Sequence, residues 1–201
     1  IKLNIPIVGA NMGHLGARMA EKLAQLGGIG ILSQDFYLEE TIKRIHHVKS
    51  ANPYFHMPIV LSPDNYAADA LALMNKRHFN CVVIVDDSFS PIGIATQKDL
   101  NRVPGWEKLK NVMKHNLLIV DESISTKNAS DKMIENQINH LPVINTEKKL
   151  IGCLTPMDIT LRVHNYQPAL DKEGRLLIGV AMGMKPKESY KPIDLAKLYV
   201  E

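Results

Sequence analysis

The sequence is poor in aromatics, cysteine, clustered positive charge and long apolar runs, and each shortage removes a class of protein. Aromatic residues are 5% of the 201 positions, and none alternates with arginines as a base-stacking surface requires. The formal net charge is +3, and the densest basic pair, Lys148-Lys149, reads as a turn; nucleic acid is not an expected partner. The apolar runs fall well short of the ~20 residues that cross a bilayer, and no signal peptide opens the chain. No membrane is expected, and a cytoplasmic location is. Cys81 and Cys153 form no CxxC pair and sit inside apolar runs, which suits a reducing compartment and excludes a disulfide framework or zinc site. Gly9, Gly13 and Gly16 are wrongly spaced for a dinucleotide fingerprint, and the eight histidines form no H-E-x-x-H. The first residue is Ile1, which we read as a trimmed or partly observed polypeptide.

What is present is ordinary globular composition, 45% hydrophobic and 22% charged, and one stretch written twice. Residues 59–103 and 118–162 align without a gap at a constant offset of 59. Ala70 falls on Ala129, Met74 on Met133, Asn80 on Asn139, Gly93 on Gly152, Thr96 on Thr155 and Asp99 on Asp158. A segment that keeps its glycine, here expected in a turn, and its polar end while varying its apolar filling is one structural unit used twice. Each copy predicts a short strand, a helix (residues 67–77 and 126–137), a two-stranded hairpin and a second helix beginning near Gln97 and Pro156. The cysteines and Met74 and Met133 are read as core.

The flanks follow another rhythm. Residues 3–8 read as a strand, 17–26 as a helix presenting Met19, Leu23 and Leu26, and Gly27-Gly28 as its stop. Residues 29–32 are a second strand, and 38–49 a helix presenting Ile42, Ile45 and Val48, with His46 and His47 toward solvent. After the repeats, 171–175 read as a turn, 176–181 as a strand buried on both faces, and 192–201 as the start of another helix. Strand and helix in alternation predict a parallel α/β sheet or barrel.

The repeats resemble tandem CBS motifs, a Bateman module. The flanks resemble the IMP dehydrogenase and GMP reductase family through Ile5-Pro6-Ile7-Val8-Gly9-Ala10-Asn11-Met12, Gly27-Gly28-Ile29-Gly30-Ile31, Asp171-Lys172-Glu173-Gly174-Arg175-Leu176 and Gly179-Val180-Ala181-Met182-Gly183. Together they cover nearly the whole chain. The resemblance implies an α/β fold with a tandem CBS pair of α+β repeats inserted into an incomplete TIM (β/α)8 barrel. Residues 1–55 and 164–201 would be barrel pieces and 56–163 the CBS module. Gly13 stands where the family usually has Asp, and Ser33-Gln34-Asp35 where a histidine-containing segment is usual. With residues 166–171, these departures look closer to the CBS-containing GMP reductase branch.

The family's catalytic cysteine lies on a Gly-rich loop beyond this sequence, and the flanks supply well under half of the ~250 residues of a full barrel. No catalytic residue is therefore assigned, and the chain alone is expected to be inactive. NAD(P) is implied for the parent enzyme and no cofactor for this chain.

Thr-x-x-Asp after a strand and before a helix, twice, is the sharpest signal. Its plain reading is a helix cap. Its functional reading uses the same geometry to hold a phosphate and ribose hydroxyls. By the resemblance, Thr96 with Asp99 and Thr155 with Asp158 each serve one of two clefts for adenine or guanine nucleotides. Backbone near Ser62 and Ile119 would contact the base, and Asn11 and Met12 would border the purine mononucleotide pocket of the parent barrel. Three readings stand: a regulatory nucleotide-binding module, likeness to part of an intact NAD(P)-dependent purine nucleotide oxidoreductase, and a structural CBS pair with empty clefts. A homo-oligomer is expected in each.

Overall fold

The computed structural model describes residues 1–183 apart from His14, His78 and Asn165, together with Asp194, Ala196 and Tyr199. The helix expected over 192–201 lies largely outside the described residues. The chain runs β1 (Val8–Gly9), α1 (Ala17–Gln25), β2 (Ile29–Leu32), α2 (Leu38–Ser50), β3 (Ile59–Leu61), α3 (Ala67–Arg77), β4 (Cys81–Val85), β5 (Pro91–Thr96) and α4 (Gln97–Leu100). It continues through α5 (Leu109–Val112), β6 (Val120–Asp121), α6 (Thr126–Glu135), β7 (Leu141–Ile144), β8 (Leu150–Leu154), α7 (Pro156–Val163) and β9 (Ile178–Val180). Two compact units result: Ile1–Tyr54 with His164–Glu201, and Phe55–Val163. Among the described residues no helix is long and apolar enough to cross a membrane.

The flank unit is a parallel sheet of order β1-β2-β9 carrying α1 and α2. α1 ends as its sequence demands. Gly27 takes φ +98°, its amide donates to Ala24 O, and the Gly28 amide donates to Leu23 O at 2.8 Å, the paired bonds of a Schellman cap. The face of α1 is the expected one only in part, with Leu23 packed against the core. Ala20 and Ala24 are fully buried while Met19 is 57% exposed, because helix and strand approach too closely for larger residues. A Cβ on Gly30 would lie 2.6 Å from Ala20 Cα. On α2, Val48 is buried and Ile45 packs against the same core as expected, whereas Ile42 is exposed and Thr41 is buried. His47 is not simply solvated: its Nε2 lies 2.9 Å from Oε2 of the buried Glu21.

β1 is shorter than residues 3–8, because the Asn4 and Ile5 amides are spent on Gly27 O instead of a strand ladder. β9 is half-buried where burial on both faces was expected, since among the described residues it pairs with β2 alone. The parallel order sends the loops after β1, β2 and β9 out at one end of the sheet.

The repeat unit holds two three-stranded sheets, β3-β4-β5 and β6-β7-β8, each with a parallel first pair and an antiparallel second. The duplication reaches the register. Ile84 faces Gly93 as Val143 faces Gly152, and both hairpins shift register at the next residue. The two cores match as well: Ala70, Met74, Val82, Ile84, Ala95 and Leu100 in the first, Ala129, Met133, Leu141, Val143, Leu154 and Ile159 in the second. α6 stops at Glu135, short of the expected Gln137, where the chain turns to positive φ.

The edges close reciprocally. Lys114, in the segment leading into the second repeat, pairs with Ile94 of β5 in the first. His56, in the segment leading into the first, pairs with Cys153 of β8 in the second. The paired glycines, expected as turn residues, lie inside β5 and β8 for this reason. A Cβ on Gly93 would come within 2.5 Å of Met113 Sδ, and one on Gly152 would run into Phe55, so each bare glycine admits the crossing segment. Phe55, grouped by sequence with the N-terminal flank, is accordingly buried in the second repeat's core.

Candidate functional site

Each repeat ends its last strand in Thr-x-x-Asp, and both copies build the same cap. Asp99 Oδ2 accepts from the Thr96 amide at 3.0 Å and from Thr96 Oγ1 at 2.6 Å, and the Asp99 amide donates back to Thr96 Oγ1 at 3.3 Å. Asp158 and Thr155 repeat it at 2.9, 2.7 and 3.3 Å. The plain reading of the motif is thus realised twice, and each box contributes about 1 kcal/mol to its helix.

The surroundings of the two boxes differ. Lys114 Nζ, carried by the crossing segment, lies 3.4 Å from Asp99 Oδ1. Burial works to raise the Asp99 pKa, but its Thr96 hydrogen bonds and the Lys114 charge outweigh that and hold it below the usual carboxylate value. In the second copy the cation comes from α7 itself. Arg162 lies over the Phe55 ring at 4.7 Å, where burial lowers the guanidinium pKa and the nearby Asp158 charge opposes that.

Both threonines open onto a cleft of about 980 Å³. The first repeat and the segment after it line it with Thr96, Lys98 and Lys114, the second with Leu118, Ile138, Asn139, His140, Thr155 and Met157. The two aspartates do not line the cleft; they fix the threonines that do. Desolvation pushes the His140 imidazole pKa down, so it enters the cleft neutral at pH 7. Hydroxyls, carboxamides, two ammonium groups and the apolar side chains of Leu118, Ile138 and Met157 suit a ligand with an anionic end, a hydroxylated middle and a flat apolar part.

The remaining predicted residues are placed elsewhere. Ser62 follows β3 at the end of the sheet opposite Thr96, since Ile59 pairs beside Val82 while Thr96 pairs with Cys81. Its amide donates to Asn65 Oδ1 at 2.8 Å, so it does not supply the cleft. Ile119 lies one residue past the lining residues Leu117 and Leu118 and does not line it either. Asn11 and Met12 are exposed on the loop after β1, at the sheet end where βα loops gather. Lys98, Lys114, Asn139 and His140 were not read as site residues. The offset alignment signals Asn139 through its match to Asn80, and Lys98 stands inside its own Thr-x-x-Asp; Lys114 falls between elements and carries no pattern.

Neither cysteine resembles a nucleophile. Both cysteines are buried; desolvation pushes Cys81 up to about 12 and Cys153 well above its ordinary value. Among the described residues no three His, Cys, Asp or Glu side chains converge on a metal position.

Known proteins place this arrangement in a family. The model of the IMP dehydrogenase / GMP reductase domain matches residues 1–200. An inosine-5'-monophosphate dehydrogenase of Methanocaldococcus jannaschii is 32% identical over 201 aligned residues, covering 98% of this chain and 40% of that protein. One from Halalkalibacterium halodurans is 33% identical, covering 100% and 42%. Among solved structures, GMP reductase from Trypanosoma brucei in complex with guanosine 5'-triphosphate superposes with a TM-score of 0.70 at 27% identity, covering 98% of this chain and 48% of that one. The chain therefore spans about two fifths of the length of the curated relatives it matches. A family model that matches residues 1–200, over a mixed α/β flank unit interrupted by a duplicated unit, makes this chain a member of the IMP dehydrogenase / GMP reductase family.

Proposed function

We propose that residues 55–163 are a CBS pair, a Bateman module, that binds purine nucleotides and regulates an oxidoreductase of purine nucleotide metabolism whose barrel includes the flank unit. The observation that carries this reading is the meeting of Thr96 and Thr155, each fixed by its own aspartate, on one cleft of about 980 Å³. That volume is within the range of small-molecule sites. The likeness to a GMP reductase crystallised with guanosine 5'-triphosphate supports a guanine nucleotide among the ligands. Regulation follows by linkage: a nucleotide that binds one arrangement or oligomer of the parent enzyme more tightly shifts its population.

Catalysis belongs to the parent enzyme. The buried Cys81 and Cys153 cannot supply the attacking thiolate that the family resemblance requires. NAD(P) is assigned to the parent enzyme as a hydride carrier. The cleft described above lies on the repeats, apart from the barrel pieces to which that cofactor is assigned. Asn11 and Met12, exposed after β1, are assigned to the substrate end of the barrel, where βα loops carry function.

Calorimetric titration of this chain with AMP, ATP, GTP and IMP tests the reading. At least one binds, and Asp99→Ala or Asp158→Ala weakens it by loosening the threonine beside it. Absence of binding by all four would favour an empty, structural pair.

A further inference from the structure

The chain has two cysteines, one in each repeat, and the fold turns them toward one another. Along β4 the side chains alternate. Val82 and Ile84 enter the core of their own repeat, so Cys81 and Val83 point the other way. There Val83 meets Leu150 of the second repeat in a buried layer against which Ile94 packs. At the repeat offset Cys153 is the counterpart of Ile94, and His140 is the counterpart of Cys81. Ile94 and His140 lie together on the cleft, so the two-fold image of that pair brings Cys153 to Cys81. The backbone agrees. The Cys153 amide donates to His56 O at 2.8 Å, and the His56 ring stacks on Phe79 with centroids 5.0 Å apart, two residues ahead of Cys81. Negative charge on Cys81 is accordingly felt at Cys153, where it adds to desolvation in raising the thiol pKa.

We propose that Cys81 and Cys153 are an oxidisable pair, which a peroxide converts to a disulfide joining the two repeats. One sulfur, as its thiolate, attacks a peroxide oxygen and breaks the O–O bond, leaving a sulfenic acid and a first water. The other sulfur then attacks the sulfenic sulfur, the S–S bond forms, and the sulfenic oxygen departs as a second water. The sulfurs together lose two electrons, the peroxide gains them, and both thiol protons leave in the waters. Both side chains are buried, which keeps the thiolate rare and the reaction slow. The product carries no charge and suits the apolar layer better than a thiolate does. Slow, reversible oxidation also fits a chain of a reducing compartment, where disulfides are transient and redox-sensing. The bond would join β4, whose Cys81 pairs with Thr96, to β8, which ends immediately before Thr155. It thereby ties together the two strands that hold the threonines of the cleft. The cross-link itself does not depend on the nucleotide reading.

The test is incubation of the folded 201-residue chain with hydrogen peroxide, followed by thiol titration in denaturant and peptide mapping by mass spectrometry. Both thiols are lost together, a peptide pair linked through Cys81 and Cys153 appears, and dithiothreitol restores both thiols. The urea midpoint of the oxidised chain rises by about 1 M, because the bond restricts the unfolded chain, and falls back on reduction. In Cys81→Ala or Cys153→Ala the same treatment gives no intramolecular link and no rise; either variant serves should the other fold poorly, and the wild-type thiol count needs neither. Two thiols recovered from the oxidised wild-type chain, linkage between separate molecules, sulfinic acid in place of the bond, or a midpoint that does not rise overturns the pairing.

Discussion

The Asp171 carboxylate accepts from Lys49 Nζ at 2.8 Å and from the amides of Glu173 and Arg175, each at 2.9 Å. Partial burial acts to raise its pKa, but these donors and the Arg175 side chain outweigh burial and hold it far below the usual carboxylate value. A carboxylate depressed in the folded state stabilises the protein above the unfolded value, about 3.9. That contribution is lost as pH falls through the folded value. Asp171→Asn is therefore expected to lower stability most above pH ~5, with the gap to wild type shrinking steadily on acidification below pH ~4. Urea denaturation across that range measures it; a gap independent of pH would assign the loss to the turn's hydrogen bonds alone. The same residue type behaves differently at Asp99, where one oxygen is fixed by its cap and the other holds a loose, exposed lysine.

At the scale of elements, β5 and β8 show why Gly93 and Gly152 recur. Overpacking a fitted interior costs roughly 1–3 kcal/mol. Gly93→Ala meets the Met113 side chain, which can bend away, whereas Gly152→Ala meets Phe55 Cβ and lies 3.3 Å from the His56 carbonyl. Both substitutions are expected to destabilise the repeat unit in equilibrium unfolding, Gly152→Ala more than Gly93→Ala. Equal effects would mean that the crossing segments are not what the glycines accommodate. Much of the element order was legible in the sequence, because the two copies check each other: helix and hairpin spans agree at one offset. The reciprocal edge pairing was not legible, since residues 55–57 and 113–115 carry no periodicity of their own and pair at long range. On α1 Leu23 packs as its spacing implies, but Met19 was misread because apolar spacing favours it, while close packing on Gly30 favours Ala20. The Thr-x-x-Asp ends were readable as caps. Their convergence on one cleft, with Lys114 delivered by a crossing segment, depends on how the two sheets pack.

In the molecule as a whole, the flank unit and the repeat unit each have a core, but the repeats do not divide further. Leu109 and Met113, which follow the first repeat, are in its core, and Phe55, which precedes it, is in the core of the second. Peptides 55–104 and 105–163 are each expected to lack stable structure alone and to gain it on mixing, read as a rise in helical circular dichroism. Either peptide folding by itself would show that the shared core residues are dispensable.

A single copy of this unit, carrying its own leading segment, could close its sheet edge only on a second molecule, as a symmetric dimer formed at a cost set by concentration. Joining two copies in one chain turns that encounter into an intramolecular step at an effective concentration on the order of millimolar. It also releases a constraint. A symmetric dimer must present every side chain twice, whereas the tandem can place Lys98 on one side of the cleft and Met157 on the other. The duplication thereby gives a two-fold scaffold a direction.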